Sequence, residues 1–354
     1  MAKELMKGNE AIGEAAIRGG CKYFFGYPIT PQNELPEYMS RELGKRGGTF
    51  VQAESEVAAI NMVYGAAGTG GRVMTSSSSP GIALKQEGIS YIAGANLPCV
   101  IVNIVRGGPG LGGIQPAQSD YYQSTRGGGN GDYNMPVYAP ANLQEMVDIM
   151  MEAFDIADYY RNPVMVVGDG MIGQMMEPIE FNKPEKRDLP EKDWITDGTD
   201  NERDPNIINS LFLDAAKLEE HNLEAEKKYE IMKENEVRVE EYNMDNDPEL
   251  VISAYGTTSR ICKNAIDKLK EEGIEVGLIR PITIWPFPDE SFENIPESAK
   301  GILVVEMSQG QMIDDVKIAN NGRLPVGFHG RSGGMIPDPV DIIEKVKEML
   351  GGVN

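Results

Sequence analysis

The sequence predicts an α/β protein with two doubly wound parallel-sheet domains joined by an acidic helical linker. Three observations carry that prediction. Short apolar runs alternate with helical stretches from Lys7 to about Gly168, the alternation restarts at Leu250, and the charge between them is lopsided. Residues 176–250 hold 23 Asp and Glu against 10 Lys and Arg, a net of −13 within a chain of 354 residues whose net charge is −22. A chain of this length exceeds what one core usually organises. The expected division is a first domain over 1–177, a linker with a long helix over 178–248, and a second domain over 249–354.

In the first domain, 22–25 reads as a strand, 31–43 as a helix, 49–52 as a strand, 56–67 as a helix and 72–75 as a strand. A helix over 80–93, a strand over 99–105, a helix over 143–160 and a strand over 163–167 complete it. With Ser55 as N-cap, Glu56, Ala59, Ile60, Val63 and Ala67 share one helix face that is apolar except for Glu56. A carboxylate in a first turn also has a purely structural use, favouring the helix dipole by ~0.3–1 kcal/mol.

Sites in such sheets lie beyond the carboxyl ends of the strands. Three loops there concentrate hydroxyls, a guanidinium and bare backbone: Tyr27-Pro28-Ile29-Thr30-Pro31, Ser76 to Ser79 with Pro80-Gly81, and Arg106 with the Gly107 to Gly113 run. Taken singly each is an ordinary turn. Their joint placement beside Glu56 makes this edge the candidate site, and a planar donor such as Arg106 suits a substrate carboxylate. The glycine-rich loop 107–133 is long enough to be functional, against either a ligand or a partner chain. Gly168-Asp169-Gly170 reads as a strand-end turn, because no Asn stands near 192–197 to complete a metal–diphosphate site.

Residues 178–205 have the composition of a linker. Apolar residues from Ile208 to Met232 then recur at three- and four-residue spacing, predicting a long helix that lies across the domains or a partner. In the second domain, strands at 251–255, 276–279, 301–305 and 326–328 alternate with helices at 259–272, 308–320 and 339–350.

Composition narrows the function classes. The net charge argues against nucleic acid, and no apolar run approaches the ~20 residues of a membrane helix. MAKELMKGNE carries no export signal, so a cytoplasmic location is expected. Cys21, Cys99 and Cys262 are isolated and His221 and His329 lie far apart, so no metal ligands are assigned to this chain.

The motifs resemble the thiamine-diphosphate-dependent 2-oxoacid:ferredoxin oxidoreductases. Tyr27-Pro28-Ile29-Thr30-Pro31, Glu56 with its Ala-rich helix to Gly65, Thr75 to Gly81 and Val105-Arg106-Gly107-Gly108-Pro109 carry the resemblance. It covers nearly the whole chain and points to the subunit with a pyrimidine-binding domain and a transketolase-C-terminal-like domain, in the branch that acts on 2-ketoisovalerate. The resemblance implies CoA-dependent oxidative decarboxylation of a 2-oxoacid with ferredoxin as electron acceptor. Glu56 is then the carboxyl that shares a proton with the cofactor's ring nitrogen N1′, favoured by an apolar surround. Thr30 and Arg106 match positions that contact the oxoacid, and Tyr27, Pro28, Ile29 and Ser79 fall with Glu56 in the cofactor-binding set.

Two departures accompany it. Gln32-Asn33 stand where many relatives have serines, an expected change to the pocket rim, and Ser79 stands where Gly is common. The resemblance places Mg²⁺ and the diphosphate on a partner subunit, and [4Fe-4S] clusters on a ferredoxin-like partner beside a further small subunit. A non-catalytic assembly subunit of such a complex, an enzyme specific for pyruvate or 2-oxoglutarate, and a self-sufficient nucleotide-binding enzyme are the alternative readings.

Overall fold

The computed structural model describes residues 3–351. The first part of the chain runs β1 (Glu4–Lys7), α1 (Gly8–Arg18), β2 (Tyr23–Gly26), α2 (Glu34–Glu42), β3 (Thr49–Gln52), α3 (Glu56–Gly68), β4 (Val73–Ser77) and α4 (Pro80–Gly94). It continues through β5 (Cys99–Val105), α5 (Tyr121–Thr125), β6 (Val137–Tyr138), α6 (Leu143–Tyr160), β7 (Pro163–Asp169), α7 (Gly170–Gln174) and β8 (Met176–Ile179). After α8 (Ala215–Asn235) and β9 (Val239–Tyr242) come β10 (Leu250–Ser253), α9 (Gly256–Glu271), β11 (Val276–Pro281) and β12 (Thr283–Trp285). α10 (Asp289–Glu293), β13 (Ile302–Glu306), α11 (Met312–Asn320), β14 (Val326–Gly330) and α12 (Pro339–Met349) end the described chain.

A seven-stranded sheet has the order β12-β6-β7-β5-β4-β2-β3, and a five-stranded sheet the order β14-β13-β10-β11-β9. Pairing is parallel except at three places: the β1–β8 ribbon, β9 against β11, and β12 against β6. The central strands β4, β5 and β7 are buried throughout, as parallel strands covered on both faces must be. The two sheets exchange chain. β9 precedes the second βα alternation yet pairs with β11, while β12, embedded in that alternation, completes the edge of the first sheet.

The expected long helix begins later than its apolar spacing suggested. Asp214 is the N-cap, accepting from Ala216 N and Lys217 N, so α8 starts at Ala215 and residues 208–213 lie outside it. Only Tyr229 and Met232 of α8 are buried. Its anchors are on the first domain: His221 Nε2 meets Gly94 O at 2.8 Å, and Lys228 Nζ donates to Asn96 Oδ1 at 2.7 Å. Residues 180–214 carry no regular element but are pinned to the same domain by Lys192 on Asp158, Thr196 on Gly68 and Arg161 over the Trp194 ring.

Candidate active site

The carboxyl ends of β2 to β5 form one edge, and each loop there is fixed by a neighbour. In the loop after β2, Pro31 O accepts from Asn9 Nδ2 at 2.8 Å and from Gln174 Nε2 at 2.9 Å. Tyr27 and Pro28 are exposed, and Ile29 and Thr30 half-buried. Gln32 is not on the rim: it is fully buried, accepting from Ser76 Oγ at 2.6 Å, so this departure changes the support of the loop. Asn33 does reach the rim. It lines an open pocket of about 510 Å³ with Thr30, Ile114, Met171 and Ile336.

Ser55 caps α3, its hydroxyl accepting from Ala58 N at 3.2 Å. Glu56, the next residue, is therefore free of capping duty, and its carboxylate has no hydrogen-bond partner among the described residues. It is nonetheless only 7% exposed. The helix face of Glu56, Ala59, Ile60, Val63 and Ala67 is buried as a unit, as the spacing predicted. Glu54, two residues earlier, is exposed.

The carboxylate lies against the start of α4. A β-carbon at Gly81 would stand 2.8 Å from Glu56 Oε1 and 2.1 Å from Ser77 Oγ, so that position requires glycine. Ser77 Oγ and Ser78 Oγ are buried without partners. Unpaired hydroxyls in a dry place cost stability unless a ligand satisfies them.

Ser79 has φ +22°, a left-handed value that favours glycine. Three bonds hold it there: its N–H donates to Asn103 Oδ1 at 3.1 Å, its hydroxyl donates to Asp120 Oδ2 at 2.7 Å, and the same oxygen accepts from Arg106 N at 3.0 Å. Asn103 Nδ2 joins the same Asp120 oxygen at 3.0 Å. Burial raises the Asp120 carboxyl above its ordinary value, with Ser79 and Asn103 pulling it back. Asp120 and Asn103 are site-building residues the motifs did not single out. The signal for Asn103 was a lone amide in the strand Cys99–Val105, otherwise wholly apolar.

Arg106 is 7% exposed. Nη1 donates to Thr30 O at 2.8 Å and Nη2 to Leu111 O at 3.0 Å, while Nε is buried with no partner. The guanidinium thus ties the Thr30 loop to the glycine-rich loop and keeps a donor in reserve. That second loop is divided in purpose. Its first part is open, with Leu111 84% exposed, but from Gln118 to Arg126 it grips this chain's own second domain, and from Gly128 to Tyr133 it returns to Gln86 and Ser90 of α4. Gln118 meets Tyr255 O and Thr258 at 2.8 Å, Tyr121 OH donates to Asp315, and Arg126 pairs with Asp315 at 2.9 Å.

Gly168-Asp169-Gly170 is the turn it was read to be. Asp169 Oδ1 caps α7, accepting from Met171 N at 2.8 Å and Ile172 N at 3.2 Å, and Oδ2 takes the Thr257 hydroxyl. Both oxygens are thereby occupied. Among the described residues, no three His, Cys, Asp or Glu side chains are grouped to hold a metal ion.

Residues 14–244 match the family model described as pyruvate flavodoxin/ferredoxin oxidoreductase, thiamine-diphosphate-binding, and 248–342 match core domain II of pyruvate:ferredoxin oxidoreductase. The chain belongs to the 2-oxoacid:ferredoxin oxidoreductase family. It is 49% identical to ketoisovalerate oxidoreductase subunit VorB of Methanothermobacter marburgensis, with full coverage of both chains. To 2-oxoglutarate synthase subunit KorA of Methanocaldococcus jannaschii it is 35% identical, over 90% of this chain and 92% of that one. The 2-oxoglutarate:ferredoxin oxidoreductase from Magnetococcus marinus, solved with 2-oxoglutarate, coenzyme A and succinyl-CoA bound, superimposes with a TM-score of 0.88 at 27% identity. That match covers 99% of this chain but 65% of the other. A split-gene transketolase shares the fold alone, at a TM-score of 0.61 and 14% identity.

The family's cofactor can be tested against these residues. Its pyrimidine end fits the region of Glu56, Gly81, Ser77 and Ser78: a free carboxylate, unpaired hydroxyls and a backbone trimmed to glycine suit a flat ring carrying hydrogen-bonding nitrogens. Its metal–diphosphate end does not fit Asp169, whose carboxylate is already satisfied by α7 and Thr257.

Proposed function

We propose that this chain is the pyrimidine-binding subunit of a heteromeric, cytoplasmic enzyme that converts 2-ketoisovalerate and coenzyme A to the branched acyl-CoA and CO₂, passing an electron pair to ferredoxin. The observation that carries it is Glu56: a buried, unpartnered carboxylate at the first turn of α3, beside Gly81 and the unpaired hydroxyl of Ser77. When bound, thiamine diphosphate supplies an acidic carbon that adds to the oxoacid's carbonyl and accepts the electrons left after CO₂ departs. Glu56 would hold and return a proton at its carboxylate oxygen. Ser79 would shape the loop that receives the cofactor, with Tyr27, Pro28 and the half-buried Ile29 at its border.

Arg106 orients the substrate carboxylate, its bonds to Thr30 O and Leu111 O fixing the guanidinium plane, and the Thr30 hydroxyl reaches a substrate oxygen. Holding that carboxylate in one orientation favours its loss as CO₂ over release of the intact acid. The metal–diphosphate site and the iron–sulfur clusters belong to partner subunits, among them a ferredoxin-like chain and a further small subunit. The choice of 2-ketoisovalerate rests on 49% identity to a ketoisovalerate subunit against 35% to a 2-oxoglutarate subunit. Assaying the complex co-purified with its partners against 2-ketoisovalerate, pyruvate and 2-oxoglutarate tests it. The highest kcat/KM is expected for the branched acid, and preference for either other acid would overturn that assignment.

A further inference from the structure

The surroundings of Thr30 bear on which side chain the substrate carries. The open pocket of about 510 Å³ that begins at Thr30 is built where four segments converge: the loop after β2, the glycine-rich loop, α7 and the loop that follows β14. Their approach is close. A β-carbon at Gly170 would stand 3.5 Å from Ile114 O and from Pro31 Cγ, and one at Gly334 would stand 2.4 Å from Gln115 Cβ. The second domain thus supplies a wall, through Ile336, to a pocket that the first domain begins.

Its lining is of two kinds. Ile114, Met171 and Ile336 bring aliphatic surface from three segments, with Ile114 57% and Ile336 39% exposed. Single exposed apolar side chains are ordinary, but three around one cavity beside a substrate-contacting residue make an apolar subsite. The one charged residue in the lining is Glu34, whose carboxylate accepts from Asn9 Nδ2 at 2.8 Å, from Gln174 Nε2 at 3.1 Å and from Lys7 Nζ. Burial opposes its ionisation, but these bonds, Lys7's first, prevail and hold the carboxyl below its ordinary value. Among the described residues no Lys, Arg or His lines the pocket, and Lys7 stands outside the lining with its ammonium engaged by Glu34.

We propose that Ile114, Met171 and Ile336 form the subsite that receives the substrate's branched side chain, and that Glu34, with no cation in the lining, turns away an oxoacid bearing a second carboxylate. This subsite rests on the reading of Thr30 and Arg106 as the residues that contact the oxoacid. Thr30 lines the pocket and its carbonyl oxygen holds Arg106 Nη1 at 2.8 Å, so the cavity adjoins the group that takes the acid's carboxylate. At about 510 Å³ it is too roomy to sort acids by size, and the chemistry of its walls does the sorting. An isopropyl group finds apolar surface, and the methyl of pyruvate covers little of it. The second carboxylate of 2-oxoglutarate gives up water and meets acceptor oxygens with no cation to compensate.

The test uses the complex co-purified with its partners, assayed for kcat/KM on 2-ketoisovalerate, pyruvate and 2-oxoglutarate. Ile336→Lys and Met171→Lys each put an ammonium where aliphatic surface stood. In both, the ratio of 2-oxoglutarate to 2-ketoisovalerate is expected to rise about 10-fold or more, mainly through KM, and Glu34→Gln should move it the same way by less. Ile336→Ala should lower the ratio of 2-ketoisovalerate to pyruvate about 10-fold, the lower end of the ~10- to 200-fold that one methylene is worth in an apolar pocket. The wild type gives a readout that needs no variant to fold: 3-methylbutanoate and glutarate keep the two side chains and lack the oxo group. The first should compete with 2-ketoisovalerate about 10-fold more tightly than the second. Equal inhibition by both overturns the proposal, as do ratios unmoved in the lysine variants. If the wild type nonetheless prefers the branched acid, the subsite alone is overturned; if it prefers pyruvate or 2-oxoglutarate, the reading of the whole site goes with it.

Discussion

Glu56 and Asp169 both sit where a strand of the seven-stranded sheet hands over to a helix, and both are buried. Their situations are opposite. Asp169 is the N-cap of α7, with one oxygen on two backbone N–H groups and the other on Thr257. Glu56 stands one position inside α3, because Ser55 takes the capping role and leaves the carboxylate unspent. A shift of one residue relative to the cap separates a carboxylate with both oxygens occupied from one left without a partner. Glu306, at the end of β13 in the other sheet, repeats the Asp169 solution, accepting from Ser308 and from the N–H groups of Gln311, Met312 and Ile313.

Replacing the two carboxylates should therefore give opposite results. Glu56→Gln is expected to lower kcat by ~10²–10⁴, the range for loss of a positioned proton-transfer group, while the unfolding midpoint is nearly unchanged. Comparable kcat in the purified complex would erase the distinction. Arg106→Ala comes next: losing hydrogen bonds of ~1.5–3 kcal/mol to a charged group should raise KM for the oxoacid about 10- to 100-fold, with little change for coenzyme A. Equal rises for both substrates would make Arg106 a loop fastener alone.

Asp169→Ala should do the reverse of Glu56→Gln. Loss of a cap and of the Thr257 bond should cost ~1–3 kcal/mol in denaturant unfolding, with turnover per folded enzyme within about threefold. A collapse of turnover at full stability would place Asp169 with Glu56. Glu14 sharpens the contrast with the smallest effect. Burial opposes its ionisation, but Arg18, Arg46 and Tyr38 prevail and hold its pKa below 4.5. Its stabilising share is thus complete above about pH 4.5 and fades as pH falls, so Glu14→Gln should lower the unfolding midpoint at pH 7 more than at pH 3.5.

What could be read in the chain tracks what is local. The Ser55 cap, the face from Glu56 to Ala67 and the helix over 143–160 depend on neighbours a few residues away, and they stand as the spacing placed them. The short strands β6 and β12 have no such signal. Val137 and Tyr138 become a strand because Met165 and Val166 on one side and Trp285 and Thr283 on the other supply partners, the latter almost 150 residues along. The start of α8 was misplaced for a related reason: Ile208 and Leu211 keep the apolar spacing of a helix face, but Ile208 packs on the first domain's core as irregular chain, Leu211 is exposed, and Asp214 sets the boundary. At the site, motifs pointed to Glu56, Arg106 and Ser79, but not to the bonding role of Asp120. Only folding brings Asp120 under Ser79.

The crossing of β9 and β12 has a consequence for how the protein is made. Domains usually fold in the order in which they leave the ribosome, but here the first sheet lacks one of its two edge strands, β12, until residue 285 exists. The loops that frame Glu56 thus belong to a sheet that synthesis cannot finish early. A nascent chain halted at the match boundary near residue 244 would present β6 as a bare edge, a template for pairing with strangers.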